Sequence, residues 1–302
     1  MVWTHQFLFR TSSAQKRRTL FLERTQSNDA NSPWPRPRAA AGDRLTTVVP
    51  AKARFRHNSD VIRRATRQQN RSSKHAVRFN NHLLTQLPAD DRALLLGGAE
   101  YIDLPVGHTF ARTGDLISNA YFPDNGVISI VSEMTTGHQV AVAAVGAEGV
   151  IGLATLFDLA QYSHSLIVLV ESSGFHLSAD RLRRVFQQSE ALRRVTLSHV
   201  GRRMRDLATA TACNRVHSHR QRLARWLLLA TDRAGQQSLP VTHEVLAQMV
   251  GGPRHAVTVA LNELRVRGAI AHLRGRIDVL KRSVLITQAC ECYVAPAGPV
   301  GP

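Results

Sequence analysis

Between residues 81 and 293 the spacing of apolar side chains changes period twice, and those changes divide the chain. In "NHLLTQLPADDRALLLGGAEYIDL" the apolar cluster after Pro88 predicts a short helix with Leu94, Leu95 and Leu96 as its buried patch. From Tyr101 the apolar residues are β-branched or aromatic and come in short runs, "YIDLPVGHTFARTGD", "NAYFPDNGVISIVSEMTTG" and "HQVAVAAVGAEGVIG". Turn residues at Gly107, Gly114 with Asp115, Pro123 to Gly126, Gly137, Gly146 and Gly149 interrupt them. "SHSLIVLVESSGFHLS" carries the pattern to Leu177. Short strands with turns about every ten residues predict a compact antiparallel barrel or roll.

The period then becomes helical. Ser178 has the side chain of an N-cap, and "ADRLRRVFQQSEALRRVTLSHVGRRMRDLATATACNR" predicts helix with a break near Ser189. In its second half Leu197, Val200, Met204 and Leu207 recur at steps of three, four and three, which makes one narrow stripe. Arg193, Arg194, Arg202, Arg203 and Arg205 occupy the other faces. An apolar seam on a charged helix suits pairing with a second copy of the chain; packing on its own roll is the alternative. A further helix follows in "HRQRLARWLLLATDRAG", apolar at Leu223, Trp226, Leu227 and Ala230.

"HEVLAQMVGGPRHAVTVALNELRVRGAI" contains two short helical patterns meeting at a glycine pair. Thr242 caps a helix over His243 to Val250, with Val245, Leu246, Met249 and Val250 available for burial. Gly251 and Gly252 supply the turn, and Pro253 suits the first position of the next helix, where no amide donor is needed. Val257, Leu261 and Leu264 form that helix's buried side. Its other side carries Arg254, His255, Thr258 and Asn262, with Arg265 further along. Arginine bridges O6 and N7 of guanine, asparagine N6 and N7 of adenine, and threonine meets a thymine methyl. Such residues at the start of the second helix of a helix-turn-helix enter the major groove. "AIAHLRGRIDVLKRS" then predicts a hairpin docked through Ile277, Val279 and Leu280, with Arg274 and Arg276 at its tip placed to straddle phosphate as a wing.

Composition adds a basic arm. The formal charge of the 302-residue chain is +17, but residues 1–78 hold 17 Lys and Arg against 4 Asp and Glu, leaving 22 against 18 for the remainder. The arm is rich in Arg, Ser, Asn and Pro without sustained period and is expected to be disordered. It suits nucleic acid or anionic lipid, or is a transit-like leader, or an extension ahead of the true start. Apolar runs are far shorter than the roughly 20 residues that cross a bilayer, and the three cysteines form no disulfide framework, so a soluble cytoplasmic protein is expected. Cys213, His217 and His219, with Cys290 and Cys292, are candidate metal ligands, yet two histidines at i and i+2 of a helix point apart. A buried cysteine is more often an apolar filler, and no metal site is assigned. "GAEGVIG" lacks the lysine and hydroxyl of a phosphate loop, and no histidine sits in a nucleophile motif, so no enzyme is expected.

The segments "YFPDNGVISI", "VGAEGVIGL", "TACNRVHSHRQRLARWLLLATDR", "LPVTHEVLAQMVGGPRHAVT" and "ACECY", in that order, resemble the Crp/Fnr family of bacterial transcription regulators. The resemblance runs from about Asn81 to Tyr293. It implies an α+β fold: an N-terminal β-roll (a double-stranded β-helix like cyclic-nucleotide-binding domains) at 79–188, a dimerisation helix at 189–212, and a C-terminal winged helix-turn-helix at 213–293 before a disordered tail at 294–302. It implies double-stranded DNA, a second copy and RNA polymerase as partners, with 254–262 as recognition helix and 191–212 as dimer helix. An effector pocket would fall on Glu148, Gly149, Gly152, Ser163 and His164. Family members that bind cyclic AMP grip its phosphate with an Arg-Ser or Arg-Thr pair, whose place Ser163 and His164 take here, so cyclic AMP is not the expected effector. Members with an iron-sulfur cluster use N-terminal cysteines, and none precedes Cys213, so no cluster is expected. Two other readings remain: a ligand sensor acting through protein partners, and a nonspecific nucleic-acid binder working through the basic arm.

Overall fold

The computed structural model describes residues 79–136 and 138–295; the basic arm at 1–78, the turn glycine Gly137 and residues 296–302 of the expected C-terminal tail lie outside them. Asn81 anchors the start of the fold. Its side-chain oxygen accepts from the backbone N–H groups of Leu83 and Leu84, capping α1 (His82–Thr85), while its Nδ2 donates to the carbonyls of Pro123 and Gly149, each at 2.8 Å. In α2 (Ala89–Leu96) only Leu95 is fully buried. Leu94 is exposed and Leu96 half-buried, because three consecutive helical residues fan around the axis and one alone faces the core.

The roll comprises β1 (Glu100–Leu104), β2 (Thr109–Ala111), β3 (Asn119–Pro123), β4 (Val127–Glu133), β5 (Gln139–Val145), β6 (Ser165–Val170) and β7 (Ser172–Ser178). They form two antiparallel sheets, ordered β1-β7-β3 and β2-β6-β4-β5. Alternation in β1 sends Ile102 and Leu104 inward, where they meet Tyr121, Ile128, Ile151, Leu166 and Val168. In β4 and β6 the alternation fails, since Val127 and Ile128 are both buried, as are Val168 and Leu169. Such strands are covered on both faces, and the second cover is the C-terminal head.

Ser178 caps α3 (Ala179–Gln188) by accepting from the N–H of Arg181, and Ser189 ends α3 and caps α4 (Glu190–Val216) through the N–H of Leu192 at 2.9 Å. The 27 residues of α4 span roughly 40 Å at about 1.5 Å per residue. The head contains α5 (His219–Ala234), β8 (Ser238–Leu239), α6 (His243–Val250), α7 (Arg254–Val266), β9 (Ile270–Leu273), β10 (Arg276–Val279) and α8 (Arg282–Gln288), with a sheet ordered β8-β10-β9. Leu223, Leu227, Leu246, Val257, Leu261, Leu264, Ile277 and Leu285 make its core, joined by Val127, Ala144, Leu169 and Val170 from the roll. Each leucine buried there contributes about 1.5–3 kcal/mol. Leu280, expected to dock the wing strand, is exposed instead: Ile277 and Val279 take the inward positions and Leu280 follows the end of β10. No helix among the described residues is long and apolar enough to cross a membrane.

Candidate nucleic-acid interface

The helical pair is built from local signals. Thr242 accepts from the N–H of Val245 to start α6, and Gly251 ends it at φ 63°, a left-handed conformation that glycine adopts without strain. Gly252 is needed for a different reason: a Cβ there would lie 2.3 Å from a ring carbon of His219 at the start of α5. Pro253 keeps φ at −69° but ψ at 147°, so it occupies the N-cap and α7 begins one residue later than the sequence suggests, at Arg254.

On α7 the inner side is Val257, Ala260, Leu261 and Leu264, all buried. Arg254, His255, Asn262 and Arg265 are exposed on the outer side, and among the described residues their side chains carry no hydrogen bond or salt bridge. Thr258 is half-buried: its hydroxyl donates to the Arg254 carbonyl at 3.0 Å and lies 3.2 Å from Nδ1 of His243. His243 in turn stacks on His272 of β9, centroids 5.6 Å apart, so α6, α7 and the wing are clamped through one imidazole. Burial first, then the charges of His272 and Arg254, hold His243 below the ordinary histidine range. Sequence periodicity also passes over Val259, which is exposed between His255 and Asn262 and offers an apolar surface to the same side.

At the wing, Arg274 and Gly275 form the two-residue tip, since Leu273 pairs with Arg276. Arg274 is exposed, whereas Arg276 makes a 2.9 Å ion pair with Asp278 on the same strand face. Among the described residues the tip thus presents one unpaired arginine, Arg274, rather than the expected two. Along α4, Ala191, Leu192, Val195, Thr196 and His199 face the chain's own core. The seam residues Leu197, Met204 and Leu207 are 55%, 67% and 44% exposed, and Val200 is half-buried. Two of the arginines expected on solvated faces turn inward instead: Arg203 donates to the Ala144 carbonyl and Arg193 to those of Phe186 and Gln187, because α4 lies close enough to cover those carbonyls.

The five effector-pocket candidates fall in different parts of the fold, with Glu148 and Gly149 apart from Ser163 and His164. Ser163 and His164 lie in the turn before β6, and Gly152 folds against the Asn119 backbone with φ 87°. Within the roll, Phe110, Ile130 and Tyr162 pack, partly buried, against the core cluster that contains Tyr121. Glu148 lies elsewhere, where the roll, α4 and the head meet. Its Oε1 accepts from Nε of Arg233 at 2.7 Å and its Oε2 from the N–H of Gly146 at 3.1 Å. Burial pushes Glu148 upward, but Arg233 and Arg203 overcome that and hold it below the ordinary carboxylate range. Gly149 packs against Val145 and the imidazole of His199 in the same junction, and burial together with Arg203 lowers His199 to about 4. A cavity of about 460 Å³ opens beside them, lined by His199, Arg203, Arg225 and Arg233 among others.

A second cluster was not assigned from the sequence. Cys213, His217, Cys290 and Cys292 come together, and His219, grouped with them by proximity along the chain, is left out because it packs against Gly252. Burial and the neighbouring Cys290 thiol push Cys213 up to about 12. The one local signal was the i, i+4 spacing of Cys213 and His217; the other two thiols arrive through tertiary packing alone.

Comparison with known proteins follows this division. A model of a Crp-like helix-turn-helix domain matches residues 221–287, and one of a cyclic nucleotide-binding domain matches residues 102–189. A CRP-like cAMP-activated global transcriptional regulator of Mycobacterium tuberculosis (strain ATCC 25618 / H37Rv) is 27% identical over 195 residues, covering 62% of this chain and 84% of that protein. Among solved structures, a CRP-family transcriptional regulator from Thermus thermophilus superposes with a TM-score of 0.56 at 21% identity, over 64% of this chain and 99% of the other. The c-di-GMP responsive global regulator of Xanthomonas campestris gives 0.53 at 19% identity, over 64% and 100%. At these identities the structural matches establish the shared fold.

Proposed function

The chain belongs to the Crp/Fnr family of transcription regulators, and from that premise we propose that it binds an approximately palindromic operator as a homodimer under the control of an effector at the β-roll. The two copies pair through Leu197, Val200, Met204 and Leu207 of α4. That seam places the two α7 helices in successive major grooves, roughly 34 Å apart. Arg254 reads guanine, Asn262 adenine, and the methyls of Thr258 and Val259 thymine, with His255 and Arg265 flanking them. Thr242 and Arg274 contact phosphate and fix the register.

One observation supports this reading: α7 is held on its inner side by buried leucines and by His243, while the side chains of Arg254, His255, Asn262 and Arg265 make no hydrogen bond or salt bridge among the described residues. A helix fixed in this way presents Arg254 and Asn262 to a base edge with little further ordering cost. The signal route runs through the junction of Glu148 and Arg233, which ties the roll to the first helix of the head. A change in the roll that moves Gly146 to Gly149 moves α5, and with it the spacing of the reading helices. The M. tuberculosis and X. campestris relatives are named for two different nucleotides. Ser163 and His164 supply no guanidinium for a cyclic phosphate, and we assign this chain an effector other than cyclic AMP. The complex acts in the cytoplasm with RNA polymerase as its partner and performs no catalysis.

Sedimentation of Met204→Glu with Leu207→Glu tests the assembly. The expected outcome is a folded monomer that has lost operator affinity; an unchanged dimer would remove the seam from the account.

A further inference from the structure

Cys213, His217, Cys290 and Cys292 are used neither by the DNA-reading surface nor by the Glu148 junction. One ligand atom from each, three sulfurs and an imidazole nitrogen, all lie within 4.8 Å of one another. Cys213 is on the last turn of α4 and His217 is its C-cap, four residues on, so both project from one side of the helix end. Cys290 and Cys292 follow α8 in a turn closed by the Tyr293 N–H donating to the Cys290 carbonyl at 3.0 Å.

The spacing fits a tetrahedral ion. Cys213 Sγ lies 3.6 Å from Cys290 Sγ, and Cys292 Sγ lies 3.7 Å from Nδ1 of His217. Zinc bonds of about 2.3 Å to sulfur and about 2.0–2.1 Å to nitrogen give tetrahedral edges of about 3.6–3.8 Å. The surroundings orient the ligands as well. Glu291 Oε1 accepts from Nε2 of His217 at 3.1 Å, which leaves the Nδ1 lone pair directed at the thiols. Arg225 donates to the Cys292 carbonyl at 3.0 Å and brings a positive charge beside the net negative complex that three thiolates would form with a divalent ion. Tyr293 donates to Asp232 at 2.8 Å, and Arg282 pairs with the same carboxylate at 2.7 Å, fixing the turn to α5.

We propose that Cys213, Cys290, Cys292 and Nδ1 of His217 form a structural zinc site that staples the end of the long helix to the last segment of the DNA-binding head. Binding makes three Zn–S bonds and one Zn–N bond and releases the three thiol protons. The set is sulfur-rich and offers no oxygen ligand, which disfavours magnesium and calcium. The staple closes across the α4–α5 joint, so it fixes how each reading head is carried on its helix.

The test uses the full chain, purified under reducing conditions without chelator, and needs no DNA, so it stands or fails apart from the function proposed above. Elemental analysis should find about one zinc per chain. After stripping, cobalt(II) should saturate at about one equivalent, with thiolate-to-cobalt charge-transfer absorption and tetrahedral ligand-field bands. Cys290→Ser and Cys292→Ser should lose the metal, His217→Cys should keep it with altered cobalt bands, and Glu291→Gln should weaken cobalt binding about tenfold. Reduced wild-type chain with native circular dichroism that gives no cobalt charge-transfer band would overturn the site. So would a Cys213–Cys290 disulfide found by mass spectrometry in protein isolated without oxidant.

Discussion

The outer side of α7 and the β-roll differ in how their candidate residues fare in the fold. Arg254, His255, Asn262 and Arg265 stay together on one exposed surface, because a helix converts spacing along the chain directly into a face. Glu148 and Gly149 share the junction with α4 and the head, while Gly152 lies against the Asn119 backbone and Ser163 and His164 in the turn before β6, because strand pairing and turns decide where each lands. Local period therefore predicts a contact surface well, whereas a pocket assembled from loops requires the topology.

The largest expected effect tests how far a helix face separates stability from recognition. Leu261 and Asn262 are adjacent, the first fully buried and the second exposed. Leu261→Ala should cost about 4 kcal/mol in urea unfolding and weaken binding to every DNA sequence. Asn262→Ala should change stability by no more than about 0.5 kcal/mol while relaxing one base preference. Equal stability losses would mean that the face is not divided as described.

The roll side of the comparison turns on Glu148. If it serves the junction rather than a ligand pocket, Glu148→Ala leaves Arg233 in a largely buried site without its carboxylate and should cost about 3 kcal/mol with no effector present. A variant of wild-type stability would return Glu148 to the list of effector contacts. His199 sharpens the same point through pH. Its value falls from the ordinary 6.5 to about 4 in the folded chain, so the unfolded state binds the extra proton first. Stability from this group is present above about pH 6.5 and is lost as pH falls toward about 4, by up to about 3 kcal/mol. His199→Gln should flatten that part of the stability profile, and an unchanged slope would place the titration elsewhere.

How much was legible follows the same line. The bounds of α6 were readable because Thr242 and Gly251 state them chemically, and the break at Ser189 because serine ends one helix and caps the next. The start of α7 was displaced by one residue because proline satisfies the φ of both the N-cap and the first helical position, and only ψ separates them. Arg276 was placed at the wing tip, but its pairing with Asp278 depends on both residues pointing to one face of β10, which a wing read from its turn residues does not include. The thiol cluster was legible only as a candidate set and went unassigned, because Cys213 and Cys290 are 77 positions apart and no periodicity shows that they meet.

The central claim is that α7 discriminates among bases, and in-cell DNA footprinting of wild type beside Arg254→Ala tests it with the natural effector present. Paired half-sites with centres about one helical turn apart are expected, with a loss of about 1–3 kcal/mol confined to one base position of each half-site in the variant. Footprints that weaken uniformly across all sequences, or that show no sequence preference in the wild type, would contradict it.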